Sequence, residues 1–445
     1  MRRSYLLLLL IASYGLGVLL SACNAPSLIT VSQKPQSTSK ATVIAPMAQN
    51  ATGTPSPALP ADCPASGTGR PAAMAPLTTP VSHQNSVFID EEGNPNNPPT
   101  AGVLMRYDVT TGSKTTILKL EHANIEEASL SNDGQWILFV DQVYDSAAQY
   151  YKVPELQLVR VDGQRLQTLY CDTQSKGLFS LAWSPDQQHI AFFGGEKDGE
   201  SFAGVSLFDM RSGQVQLVLD EQSAVDSLTW QDNQRLYIRL ASLVPTATLY
   251  LLDTARGAKQ QRSDLAIAFQ QRTSKPCWSA DKSADGSVLF ISQCTPAATP
   301  GSGSPYLPGA PSSMSKQTAT GGSLHTILNT EHLAIVDVHV ATPRVLLFTV
   351  ANPVARGQTD SHNGLWKVNT DGSGLQQLTH EGTWSGNGQP SWANVSRDGM
   401  LYAYRVWDQT TQSSSIKYGV LSGNPTTTFA IFTGHATNII GWTVM

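Results

Sequence analysis

The sequence predicts an all-β chain built from seven like units, and three observations carry that expectation. First, one short pattern returns along the 445 residues: an apolar strand, a small polar turn containing Asp, and a second apolar strand. It is clearest at 181–193, LAWSPDQQHIAFF, and recurs at 128–139, 228–240 and 395–404, with worn copies at 277–291 and 338–348. Second, a variable loop after each pair leads to a third strand, a Gly-containing turn and a fourth strand, as at 156–169, 205–219 and 365–378. Third, the ends of the chain hold the two halves of one further unit. Residues 86–90, SVFID, read as a second strand lacking a first, and 438–444, NIIGWTV, as a first strand lacking a second.

Each element has a local cause. Alternating apolar and polar residues over short runs mark half-buried strands. Gly, Asp, Asn and Ser in the connections supply positive φ or side-chain bonds to the backbone. Four strands per unit at this period argue for a β-propeller, whose units hide their faces only by packing on one another. Trp183, Trp230 and Trp278 are taken as equivalent positions that set the register. The closure unit would continue through 103–109 and 115–118, and joining both chain ends in it removes exposed strand edges. The expected fold is a seven-bladed propeller of four-stranded antiparallel blades over 84–445, closed by strands from both termini.

The turns Ser184-Pro185-Asp186 and Ser396-Arg397-Asp398-Gly399 resemble the WD-like propeller repeats of the TolB-type family, over roughly residues 84–445. That resemblance implies a propeller and, because members of the family are periplasmic, an exported protein. The Asp-box of sialidases is a near neighbour, but Ser131-Asn132-Asp133-Gly134 lacks its residue between Asp and Gly. Turn formation is the expected role of these aspartates.

The first 22 residues read as a lipoprotein signal peptide. Arg2 and Arg3 form a basic end, Tyr5 to Leu20 an apolar stretch, and Leu20-Ser21-Ala22-Cys23 a lipobox. Ser13, Gly15 and Gly17 interrupt a run already short for a membrane span. Cleavage leaves Cys23 to carry lipid, and two or three acyl chains suffice for stable anchoring. Asn24 is not a signal for inner-membrane retention, so the expected address is the cell membrane or outer membrane, on the extracytoplasmic side. Residues 23–83 hold no aromatic side chain and are rich in Pro, Ser, Thr and Ala. Such a stretch buries too little to offset chain entropy and is expected to be a disordered tether spanning about 40 Å. A second such stretch, from about Thr295 to Gly322, holds five prolines and is expected as a loop between the second and third strands of the fifth blade.

Four cysteines remain besides Cys23, an even number that suggests disulfides in an exported chain. Cys277 and Cys294 flank one hairpin and are paired on that ground. Cys63 and Cys171 are then left for each other, which would pin the tether to the second blade. The absence of CxxC spacing argues against zinc or thioredoxin-like chemistry.

No catalytic pattern emerges. Gly382-Thr383-Trp384-Ser385-Gly386 has the wrong spacing for a nucleophile elbow, and HExxH, P-loop and EF-hand patterns are missing. His332 and His339 read as ordinary histidines. No metal or cofactor is expected, and a net charge of −5 without a basic stripe argues against nucleic acid. Loop lengths are asymmetric, however. The connections between second and third strands, 91–102, 142–155, 194–204, 294–316, 351–364 and 408–414, are long and emerge on one face, where insertions often mark binding. This face would carry Tyr144, Tyr150 and Tyr151, then Glu196, Lys197 and Asp198, then Tyr306, Arg356, Asp360 and His362, with His380 and Trp384 from a blade crossing. Asp90, Asp141 and Asp408 end the second strands of three adjacent blades and are expected to converge near the channel mouth.

The function expected is that of a membrane-anchored, non-catalytic binding module for an exported protein, a peptide or a cell-envelope glycan. The alternative is a propeller enzyme acting on a glycan or lactone, with carboxylates or a metal at the channel mouth.

Overall fold

A computed structural model describes residues 62–65, 68–77, 84–92, 101–147, 150–172, 177–194, 204–221, 225–240, 246–257, 259–272, 278–296, 308–352, 360–380, 391–408, 413–423, 427–433 and 437–443. Among these the strands form seven sheets. Blade 1 contains β1 (Asn85–Glu92), β2 (Ala101–Asp108) and β3 (Lys114–Glu121). Blade 2 contains β4 (Ala123–Leu130), β5 (Trp136–Asp145), β6 (Tyr150–Tyr151), β7 (Glu155–Arg160) and β8 (Gln167–Cys171). Blade 3 contains β9 (Leu178–Trp183), β10 (His189–Gly194), β11 (Gly204–Asp209) and β12 (Val215–Asp220). Blade 4 contains β13 (Val225–Trp230), β14 (Arg235–Leu240) and β15 (Thr246–Asp253). The short β16 (Gln260–Gln261), which pairs back onto β12, then precedes the last strand of blade 4, β17 (Ala266–Arg272). Blade 5 contains β18 (Trp278–Lys282), β19 (Val288–Pro296), β20 (Pro308–Thr318) and β21 (His325–Thr330). Blade 6 contains β22 (His339–Thr342), β23 (Val345–Val350), β24 (Gly364–Asn369) and β25 (Gln376–Gln377). Blade 7 contains β26 (Ser391–Val395), β27 (Leu401–Asp408), β28 (Ser413–Val420) and β29 (Thr427–Thr433), and β30 (Thr437–Trp442) returns to blade 1.

The ring closes as the half-units at the chain ends require. β30 pairs antiparallel with β1, Ser86 opposite Trp442 and Asp90 opposite Thr437. Seven apolar clusters then link each blade to the next around the full circle. Val87, Leu104 and Phe139 join blades 1 and 2, Leu347 and Tyr402 join blades 6 and 7, and Phe88 with Ala403 closes blade 7 onto blade 1. Among the described residues no cluster spans the middle, so each blade owes its stability to two neighbours. Arg397 ties the seam, donating to the carbonyl of Trp442 at 3.3 Å and to those of Ser131 at 3.0 Å and Asn132.

The repeated turns share one hydrogen-bond pattern. In the turns at Ser131, Ser184, Ser283 and Ser396, the hydroxyl donates to the aspartate two residues on at 2.6–2.7 Å. The aspartate accepts the amide four residues after the serine at 2.9–3.1 Å. The serine oxygen accepts the fifth amide at 2.8–2.9 Å. The residue after each aspartate has positive φ; it is Gly134, Gly286 and Gly399 in three turns and Gln187 in the fourth. These aspartates are spent on their own turns, as expected.

Three expectations need correction. Residues 62–65 and 68–77, within the stretch taken as a disordered tether, are ordered as a strap beside β8. Arg70 and Ala72 amides donate to the carbonyls of Leu169 and Met210, each at 2.8 Å. Ala72 and Met74 pack on the cluster between blades 2 and 3, and Leu77 packs on that between blades 1 and 2. The strap binds through backbone groups, to which composition is blind. The proline-rich stretch after Thr295 is also partly strand. Residues 308–318 form β20, paired on both sides, and Pro311 falls in the register shift between Cys294 and Thr295, where a strand tolerates proline. Finally, Trp278 is not equivalent to Trp183 and Trp230. Those two end their strands beside the turn and donate to the carbonyls of Ser129 at 3.4 Å and Ala182 at 3.0 Å in the preceding blade. Lys282 holds that position in blade 5, while Trp278 begins its strand at the far end, opposite Gln293.

Cys63 and Cys171 are disulfide-bonded, with Cα atoms 5.6 Å apart, so the strap is fixed covalently to β8. Cys294 is also in a disulfide; Cys277 lies outside the described residues, as does Cys23. Among the described residues no helix is long and apolar enough to cross a membrane.

Candidate functional site: the long-loop face and the channel

The connections from second to third strands leave each blade at the end opposite the Ser-x-Asp turn. The best-described one belongs to blade 2, where β5 runs past the blade and pairs with β6. Tyr144 lies directly opposite Tyr151, with ring centroids 5.2 Å apart in an edge-on contact. Tyr151 remains 39% exposed. Tyr150 pairs with Asp145, which places its backbone at the tip of the same hairpin. An aromatic pair with one exposed ring on a hairpin offers large contact area at low entropic cost.

On blade 6, His362 is exposed and held in a local turn. Its amide and its Nδ1 both lie 2.8 Å from Asp360 Oδ1, and its carbonyl accepts the Trp366 indole N–H at 2.7 Å. Asp360 also accepts the Asn352 amide group at 3.1 Å, and these contacts hold its carboxyl below the usual range against the opposing effect of burial. His380 is exposed beyond β25. Trp384, Glu196, Lys197, Asp198, Tyr306 and Arg356 lie outside the described residues.

The three aspartates expected at the channel mouth differ in register. Asp90 and Asp141 stand five residues after Asn85 and Trp136, the first residues of their strands. Asp408 stands seven after Leu401, two positions further along. Equal loop-end placement therefore does not hold for all three. Asp141 is buried, 1% exposed, and accepts the Gln157 amide N–H at 2.7 Å. Burial, with the Glu155 carboxyl opposite it, pushes Asp141 up to about 7. This carboxyl lies inside the blade, with the Gln157 side chain as its hydrogen-bond partner.

Sequence reasoning missed the charged groups on the innermost strands. Glu127 on β4 accepts the amides of Ser180 at 2.6 Å and Leu181 at 2.8 Å on β9. Asp281 on β18 accepts the amide of Val340 on β22 at 2.7 Å, with His339 Nδ1 3.8 Å away. Each carboxylate thus staples one innermost strand to the next. Burial raises Asp281 and holds His339 well below its ordinary value, so the histidine is neutral at pH 7. Asp337 accepts the Thr349 amide at 2.8 Å, and burial pushes it up to about 6. Arg239 bridges blades 4 and 5: its Nε lies 2.8 Å from Asp226 and its guanidinium 4.9 Å from the Trp278 ring centre. Aligning the blades residue by residue would have exposed these positions, since Asp281 and Lys282 stand where blades 3 and 4 carry Ala182-Trp183 and Thr229-Trp230.

Among the described residues, the one group of three potential metal ligands is Cys63, Glu155 and Cys171. Its two sulfurs are bonded to each other, and they do not offer thiolates to a metal.

No protein-family model matches the sequence, and no curated protein matches it. In fold the chain is similar to solved β-propeller proteins. The β-propeller domain of the trilobed protease of Pyrococcus furiosus shares 13% identity over 81% of this chain and 96% of that one, with a TM-score of 0.51. That domain has an open velcro topology, whereas here β30 and β1 close the ring. The periplasmic gluconolactonase of Pseudomonas aeruginosa shares 15% identity over 80% and 99%, with a TM-score of 0.52. TolB of Acinetobacter baumannii shares 13% over 80% and 82%, with a TM-score of 0.43. At these identities the likeness is one of fold, and propellers of one fold serve many functions.

Proposed function

We propose that this protein is a membrane-anchored, extracytoplasmic lipoprotein whose propeller is a non-catalytic binding module. The observation that carries the reading is the Cys63–Cys171 disulfide, which joins the end of a lipobox-bearing tether to the outer strand of blade 2. Disulfides persist outside the cytoplasm, and this one transmits any pull on a lipid at Cys23 directly into the ring. The partner is an exported protein, a peptide or an envelope glycan, taken up on the long-loop face around Tyr144, Tyr150, Tyr151, His362, His380 and Trp384. The test is in-cell crosslinking from a photoreactive group at position 151. Adducts that disappear with Tyr144→Ala, at unchanged melting temperature, support the reading. Adducts formed equally from a probe at position 398, on the tight turns, contradict it.

One observation favours a catalytic reading. Burial pushes Asp337 up to about 6, toward the range in which general acids and bases work. In that reading a glycan or lactone enters the channel and Asp337 acts on it. Turnover of such a substrate that Asp337→Asn abolishes would replace the binding module with an enzyme.

A further inference from the structure

Blade 5 breaks the repeat where its innermost strand meets the turn, and a polar cavity lies between that strand and blade 4. In blades 3 and 4 the residue before the turn is Trp183 or Trp230, whose indole reaches the preceding blade. Blade 5 has Lys282 there. β18 pairs with β19 without a register shift, so its side chains alternate between the two faces of the blade. Trp278 and Ala280 pack with Tyr237 and Leu249 of blade 4, and Lys282, two places on, faces the same way.

The facing wall is β13. Leu228 and Trp230 pack toward blade 3, which turns Ser227 and Thr229 toward blade 5. The cavity between the blades has a volume of about 40 Å³, and its lining includes Lys282, Ser227, Thr229, Arg239, Trp278 and Asp281. The other charges around it are committed. Arg239 is paired with Asp226 at 2.8 Å. Asp281 accepts the amides of Val340 at 2.7 Å and Lys282 at 2.8 Å. Asp232 is paired with Arg235 at 2.7 Å, and Asp285 accepts the Ser283 and Ser287 hydroxyls at 2.6 and 2.8 Å. Among the described residues the Lys282 ammonium has no hydrogen-bond or ion-pair partner, and the Ser227 and Thr229 hydroxyls have no hydrogen-bond partner. Burial holds the Lys282 ammonium below its ordinary value, against the pull of Asp281, Asp232 and Asp285. A half-buried ammonium without an acceptor carries a desolvation cost that an acceptor would offset.

We infer that this cavity binds a carboxylate group, with the Lys282 ammonium and the Ser227 and Thr229 hydroxyls as its donors. One uncommitted positive charge suits a monoanion, and an ammonium with two hydroxyls suits the two oxygens of a carboxylate. The volume admits a few water-sized groups, which is room for such a head group and not for a sugar ring. The site stands in the wall between blades 4 and 5, apart from the Tyr144–Tyr151 hairpin of blade 2. It goes beyond the partner-binding reading, and the failure of either leaves the other standing.

The probe is acetate, followed by NMR in the full chain in detergent with isotope-labelled lysine side chains. The Lys282 signal is the one missing from Lys282→Met. Acetate replaces chloride at constant ionic strength. A bound carboxylate stabilises the charged amine, so the Lys282 titration midpoint rises, by about one pH unit at acetate tenfold above its dissociation constant. The effect saturates, and acetamide, which lacks the charge, does not produce it. Ser227→Ala combined with Thr229→Val, both at exposed positions, weakens acetate binding about tenfold at unchanged melting temperature. A Lys282 midpoint that is the same in acetate as in chloride, up to about 100 mM, overturns the inference. So does an acetate effect shared equally by the other lysines, or one that the double variant leaves intact, because the donors then lie elsewhere.

Discussion

At the scale of single residues, polar groups in this chain are mostly committed to holding the backbone. Asp186 accepts both the Ser184 hydroxyl and the Gln188 amide. Asp186→Ala therefore removes two hydrogen bonds from the turn and should cost about 0.5–1.5 kcal/mol, read as a lower urea midpoint with an unchanged slope. Asp141 is the opposite case. Burial raises its carboxyl from 3.8 to about 7 in the folded protein, so between those pH values the native state holds a proton that the unfolded chain has lost. The stability contributed by the neutral form is intact below pH 4, falls as pH rises from about 4 to 7, and is fully lost above that. Asp141→Asn removes the titration while keeping an acceptor for Gln157. It should leave the melting temperature unchanged at pH 4 and raise it at pH 8. A variant equally stabilised at both values would place the cause elsewhere.

At the scale of elements, the hairpins were legible in sequence because each combines a strand period with a turn whose side chains do local work. Ser-x-Asp turns announce themselves; their bonds are made within five residues. The half-strands at 86–90 and 438–444 were legible for the same reason, each being a strand missing a partner. The strap was not, because residues 68–77 bind through amides and carbonyls to Gln167, Gln135 and β8, and such bonds leave no mark in side-chain pattern. β20 was obscured by its two prolines, which sit at its start and in its bulge. The candidate site was less legible than the fold. Tyr144 and Tyr151 do meet, but Asp408 is out of register with Asp90 and Asp141, and the charged pairs of the innermost strands depend on blades adjacent only in space. Two outcomes follow for the cysteines. Breaking the Cys63–Cys171 bond with paired serines should cost about 2–4 kcal/mol and should expose the strap at Arg70 to trypsin while the blades resist. Peptide mapping without reduction should find Cys294 joined to Cys277; a different partner would refute the hairpin pairing.

At the scale of the whole molecule, the ring is one mechanical system, and the strap at Cys63 is bonded into it. Each blade buries its faces only against its neighbours, and the first blade depends on β30 from the far end of the chain. Removing residues 437–445 strips that strand, opens an edge and releases Arg397 from Trp442. The expected result is loss of the cooperative melting transition for the entire ring. The strap adds a covalent link to blade 2, and under the proposed function it would bear the anchor. Lipid at Cys23 is therefore the claim on which the functional reading rests. It is tested most directly by labelling cells with a clickable fatty acid and fractionating wild type and Cys23→Ala. The account predicts a labelled, membrane-bound wild type and an unlabelled variant that is released or left unprocessed. A wild type that carries no label, or a Cys23→Ala variant that labels and fractionates as wild type does, would contradict it.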